Sequence, residues 1–122
     1  GFMGAQVTAT AVLAWIRSNA TPSSIQSIST NANNQDVVSM GTIAALKTSE
    51  CIDRVFDILA MEGLALSQAF ELKDGFNRKT GFSPNSIELV KRIRKISPFL
   101  KKDRSLSKEI QILSDAMKSN TL

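Results

Sequence analysis

No proline falls between Val38 and Lys73. Over that stretch Ile52, Val55, Phe56, Leu59, Leu66 and Phe70 recur on one helical face, and Ile58, Met61, Ala65 and Leu72 on another. The spacing predicts one helix of roughly 36 residues, about 54 Å long, against a radius of gyration of roughly 14 Å for a compact chain of this size. A helix of that length with two apolar faces cannot bury both within 122 residues. It is expected to pack in a larger bundle, against partner subunits or further parts of the same protein. The alternative is two shorter helices meeting at Gly63, since an internal glycine costs a helix only about 1 kcal/mol.

The other elements are shorter and also helical. Val7, Ala11, Ala14 and Trp15 fall at helical spacing between about Gly4 and Ser18, and Val12, Leu13 and Ile16 widen the apolar arc, so this helix is expected to be covered on more than one side. Asn19-Ala20-Thr21-Pro22 ends it, because the residue before a proline is driven out of the helical region. Asn19-Ala20-Thr21 also fits a glycosylation acceptor, which is discounted without a secretory signal. Asp74-Gly75 reads as the stop of the long helix and Phe76 to Phe82 as a loop. Ser83-Pro84 is a cap followed by a first-turn proline, and Ser97-Pro98 is the next stop. A last helix is expected from about Ser107 to Lys118 with Ile110, Leu113, Ala116 and Met117 inward. No stretch alternates as a strand does, so the fold class is all-α: an elongated helical bundle around one very long helix, read as a single unit over 1–122.

Between the first two helices the composition changes. Ser23 to Asp36 is rich in Ser, Thr, Asn and Gln, lacks glycine, and offers only Ile25 and Ile28 as large apolar anchors. Side chains that hydrogen-bond their own backbone favour turns and caps over regular structure, and ordered loops of this kind often carry function. Asn34, Gln35 and Asp36 are expected to cap the long helix, with Asp36 as the main cap.

What the chain lacks narrows its chemistry. It has no His and no Tyr, so proton transfer near neutral pH would fall to a perturbed carboxylate, a lysine or Cys51. Cys51 has no histidine to activate it and no second cysteine to pair with, so it reads as a buried structural thiol in a cytoplasmic setting. No metal-ligand cluster, Gly-rich phosphate loop or nucleophile elbow is present, and no apolar run approaches the roughly 20 residues that a membrane span needs. The net charge of +4 is concentrated in Lys91, Arg92, Arg94, Lys95, Lys101, Lys102 and Arg104, which face only Asp103 in sequence. That run reads as a solvated face rather than a nucleic-acid surface. The opening Gly1-Phe2-Met3 runs straight into an apolar stretch and reads as a cut inside a larger protein, and the 122-residue piece is not expected to catalyse by itself.

Two motifs give this fragment a context. Asn31-Ala32-Asn33-Asn34-Gln35-Asp36-Val37-Val38-Ser39-Met40-Gly41-Thr42-Ile43-Ala44-Ala45 resembles the loop and helix start in the carboxy-terminal half of the aromatic amino acid and histidine ammonia-lyases. Gly1-Phe2-Met3-Gly4-Ala5-Gln6-Val7-Thr8 resembles the preceding helix start of that family. The resemblance is strong from Gly1 to about Leu72 and thin beyond. It implies a methylidene-imidazolone electrophile, formed from an Ala-Ser-Gly in the amino-terminal half, together with a catalytic tyrosine there. Neither occurs in this sequence, so no residue here is expected to be catalytic and no separable cofactor is expected.

By the same resemblance Gln35 stands where family members place a glutamine or a glutamate lining the substrate pocket, with Asn34 before it as in the aromatic lyases. Asn31, Met3 and Val7 match positions at the side-chain end of that pocket. A neutral amide at Gln35 and apolar Met3 and Val7 suit an aryl ring, whereas a carboxylate could pair with an imidazole. The implied function of the whole protein is elimination of ammonia from tyrosine or phenylalanine by a cytoplasmic homotetramer assembled through the long helix, with no nucleic-acid or membrane partner. The alternatives are a histidine ammonia-lyase, an aminomutase of the same family, or a free-standing helical oligomerisation or nucleic-acid-binding module.

Overall fold

The computed structural model describes residues 2–35, 37–74, 76–77 and 81–122. It contains α1 (Met3–Asn19), a single 3-10 turn (Ser23–Gln26), α2 (Gly41–Leu72), α3 (Pro84–Ile96) and α4 (Ser107–Lys118). The one β-type pairing among the described residues is an isolated antiparallel bridge between Thr30 and Gln35. The all-α expectation holds. α2 is unbroken over 32 residues, about 48 Å, and Gly63 is no joint.

Gly63 sits where three helices converge. A Cβ built on it would lie 3.5 Å from Ile93 Cδ1, 3.6 Å from Met117 Cε and 3.7 Å from Leu113 Cδ2. Around this point Ala60, Leu64, Ile93 and Leu113 form the core, with Ile96, Ile110, Met117 and Phe2 packed against it. Each fully buried large side chain here contributes roughly 1.5–3 kcal/mol of transfer free energy, so this end of α2 supplies most of the fold's hydrophobic stabilisation.

Polar ties lock the same region. Gln68, itself buried, donates from Nε2 to the Leu100 carbonyl at 3.2 Å and accepts from the Leu100 N–H at 3.0 Å. Arg94 pairs with Glu71, donates to Gln68 Oε1 and to the Ser97 carbonyl, and lies 5.9 Å from the centre of the Phe99 ring. Ser114, fully buried, donates to Asp57 Oδ1 at 2.8 Å, and Lys118 pairs with Asp53 at 3.2 Å. The basic run is largely the solvated face expected, with Lys91, Arg92, Lys95, Lys101, Lys102 and Arg104 exposed, and Arg94 is the member drawn partly inward. Arg92, Arg94 and Arg104 are held by Glu88, Glu71 and Glu109, and Arg104 also reaches the Pro98 carbonyl.

The amino-terminal side is open. α1 buries no residue; Ala5, Ala9, Val12, Ile16 and Asn19 are half-buried, as is Phe2 before it, and the helix packs on α2. Its apolar arc is thus covered on one side, against the expectation of cover on several. Met3, Val7, Leu13 and Trp15 are exposed, as are Ile52, Val55, Leu59 and Leu66 on α2. Cys51 is a half-buried free thiol rather than a core one. The terminators read from sequence are in place: Ser83 Oγ accepts the Ser86 N–H at 3.1 Å with Pro84 opening α3, and Asp74 takes a left-handed turn (φ 56°) after α2. The role expected of Gly75 lies outside the described residues.

Candidate functional site

The amide-rich segment ahead of α2 folds as a narrow loop pinned at three levels. At its mouth the Val38 N–H donates to Ser27 Oγ at 2.8 Å, across eleven residues of chain. Further in, Thr30 and Gln35 exchange backbone hydrogen bonds at 3.1 and 3.3 Å. At the tip, Ser29 Oγ donates to Asn33 Oδ1 at 2.8 Å and the Asn34 N–H to the Asn31 carbonyl at 3.0 Å. The reversal between the two arms passes through three consecutive non-glycine residues in the left-handed region: Asn31 (φ 51°), Ala32 (φ 52°) and Asn33 (φ 66°). Asparagine tolerates that region, but alanine pays roughly 1–2 kcal/mol for it. A strained reversal persists only where its surroundings over-determine it, and such positions gather at functional sites.

The base of the loop is fixed to the rest of the fold. The 3-10 turn packs on α2, its Ser23 is buried, and the Ser27 N–H closes it by donating to the Ser24 carbonyl at 3.1 Å. Ile25 and Ile28, expected as apolar anchors, are instead exposed, and hydroxyl groups hold the loop. Met40 is left-handed at φ 53°, so helical geometry begins only at Gly41 and the helix start has no side-chain cap. Asn34 and Gln35 stand well before that start and do not cap it, which corrects the expectation for both. The expectation for Asp36 falls outside the described residues.

The five residues singled out from sequence fall in two places. Asn31, Asn34 and Gln35 share the loop tip, all exposed, and the amides of Asn34 and Gln35 make no side-chain hydrogen bond among the described residues. Met3 and Val7 lie one helical turn apart on the exposed side of α1. None of these five lines either of two clefts among the described residues. One, of about 540 Å³, lies between α1, α2 and the start of α4 and includes Thr8, Arg54, Asp57 and Arg104. An apolar one of about 390 Å³ lies beside Phe70, Phe82, Leu89 and Ile93. Sequence reasoning missed Ser27, Ser29 and Thr30, whose hydroxyls and backbone shape the loop. Their only signal was membership of a hydroxyl-rich stretch.

No described group of His, Cys, Asp and Glu could hold a metal ion, and no helix among the described residues is long and apolar enough to cross a membrane. The described part of the loop tip, residues 29–35, presents uncharged amides and hydroxyls. It can orient and select a small molecule, but it carries no group able to move a proton or attack a carbon.

Residues 1–95 match the family model described as "Aromatic amino acid lyase", and the chain belongs to that family. It is 54% identical over 114 residues to a tyrosine ammonia-lyase of Cereibacter sphaeroides, an alignment covering 93% of this chain and 21% of that protein. The crystal structure of a tyrosine aminomutase from Streptomyces globisporus superposes with a TM-score of 0.87 at 38% identity, over 98% of this chain and 22% of that one. A histidine ammonia-lyase from Trypanosoma cruzi superposes with a TM-score of 0.85 at 30% identity, over 98% and 23%. The chain spans about a fifth of the length of the relatives it matches. Likeness also runs beyond Leu72, where the motifs fade: the family model reaches residue 95 and the structural matches extend over α3 and α4.

Proposed function

We propose that the full-length protein is an aromatic amino acid ammonia-lyase, of which residues 1–122 form one wall of the active site. The observation that carries the reading is the 54% identity to a tyrosine ammonia-lyase across 93% of the chain. In the reaction the substrate's Cα–N bond breaks, a proton leaves Cβ, and ammonia and an arylacrylate result. Gln35, preceded by Asn34, lines the substrate pocket from the loop, and Asn31, with Met3 and Val7 from α1, lines its side-chain end, which gives an aryl ring an apolar bed and a neutral hydrogen-bonding edge. Their exposure here suits a wall whose opposite face is supplied by another part of the protein or another subunit.

The Streptomyces globisporus aminomutase is described as MIO-dependent. Such a group is made from the protein's own Ala-Ser-Gly, and residues 1–122 contain no such tripeptide. What this stretch offers, neutral amides and apolar side chains, fits a substrate pocket rather than the formation of the group. The reading therefore places the methylidene-imidazolone in the amino-terminal part, where it supplies the electrophile, and leaves the isolated fragment inactive. Assembly as a homotetramer through the exposed apolar stripe of α2, in the cytoplasm, completes it.

Incubating the full-length protein with tyrosine, phenylalanine and histidine and following product absorbance tests the reading. Arylacrylate from tyrosine or phenylalanine, with little urocanate from histidine, is expected. Preferential turnover of histidine would overturn the assignment of Gln35, and accumulation of a β-amino acid would make the protein an aminomutase.

A further inference from the structure

The loop that presents Gln35 has one fastening that spans its whole length. Ser27 is half-buried at the end of the 3-10 turn, and its Oγ receives the Val38 N–H at 2.8 Å. On one side of this bond lies a turn docked on α2 with Ser23 buried; on the other lies the segment that enters α2 through left-handed Met40. The next pairing outward is the Thr30–Gln35 bridge, and between the two levels the apolar side chains Ile28 and Val37 are exposed and add no anchoring. Among the described residues, the Ser27 hydroxyl makes the one side-chain hydrogen bond that joins the two arms at the loop mouth, inside the pairing that sets Gln35. Water in the place of that hydroxyl could satisfy the Val38 N–H but would not tie the two arms together.

We infer that Ser27 is a positioning residue for the substrate pocket, holding the Gln35 edge in register with the aryl group through its bond to Val38. This rests on the reading of Gln35 as a pocket residue. A serine serves where an apolar residue would not, because the half-buried Val38 N–H at the loop mouth needs an acceptor and Ser27 Oγ is the one it meets. Threonine keeps that acceptor. Valine, of the same shape, removes it.

The test compares the full-length protein with Ser27→Val, Ser27→Thr, Gln35→Ala and the double variant Ser27→Val/Gln35→Ala, measuring kcat and KM for tyrosine and for histidine. Ser27→Val is expected to lower kcat/KM for tyrosine by about tenfold, mainly through KM, and to narrow the tyrosine-over-histidine preference; Ser27→Thr should stay within about twofold of the parent. In the Gln35→Ala background the loss from Ser27→Val should largely vanish, because both changes remove the same interaction. A loss that is equal for both substrates, that persists undiminished without the Gln35 amide, or that threonine fails to restore would overturn the inference while leaving Gln35 in the pocket. If Gln35→Ala itself leaves tyrosine turnover unchanged, the pocket reading has failed and this inference falls with it. Should Ser27→Val not fold, hydrogen exchange at the Val38 amide of the unmodified protein decides the matter. Protection is expected, and free exchange contradicts the clamp.

Discussion

The two ends of α2 live in different surroundings. From Ala60 to Leu72 the helix is gripped by α3 and α4, with Leu64 and Leu113 almost fully buried and Gln68 and Glu71 engaged in ties across elements. From Gly41 to Leu59 it buries no residue, and although Asp53 and Asp57 reach Lys118 and Ser114 of α4, Ile43, Leu46, Ile52, Val55 and Leu59 stand exposed. A soluble chain rarely leaves a continuous apolar stripe uncovered, so one end of the helix is a completed core and the other an unfinished surface. Stability is thereby concentrated at one end of a single element: the closed end fixes α2, and α2 carries the amide loop proposed for recognition.

The contrast yields measurable differences. Leu113→Ala, at the closed end, should destabilise the chain by roughly 2–5 kcal/mol, read by urea unfolding, since it opens a cavity against Gly63 and Leu64. Gln68→Ala should cost about 1–3 kcal/mol, because both backbone groups of Leu100 lose their partner. Gly63→Ala should stabilise by about 0.5–1 kcal/mol, as its Cβ would meet three side chains at ordinary contact distance while the helix gains propensity. Ile52→Ser, at the open end, should change unfolding of the 122-residue chain by no more than about 0.5 kcal/mol but weaken self-association in sedimentation. A large loss of monomer stability from Ile52→Ser would erase the distinction between the ends.

Much of the closed end was legible in the sequence because its signals are local. Ser83-Pro84 and Ser97-Pro98 bracket α3, and the 3.6 period of Ile110, Leu113 and Met117 marks α4 and its inward face. What escaped depends on partners distant in sequence. Arg94 and Arg104 read as part of a solvated basic run, yet Glu71 and Glu109 claim them only once α2, α3 and α4 are packed. The periodicity alone starts α2 at Val38 because Val38 and Ser39 are compatible with a helix; what delays it to Gly41 is left-handed Met40, with the Val38 N–H drawn off to Ser27. At the candidate site the amides were legible by resemblance to a family motif, whereas the framework of Ser27, Ser29 and Thr30 was not, since a hydroxyl in a polar loop has no periodicity to betray its partner.

The account turns on what the tip of the amide loop faces. A crystal structure of the full-length protein with an arylacrylate product bound addresses this most directly. It should show the Gln35 side chain within about 4.5 Å of the aryl group, with Met3 or Val7 against the ring. An arylacrylate bound elsewhere, with Gln35 directed into solvent, would contradict the account.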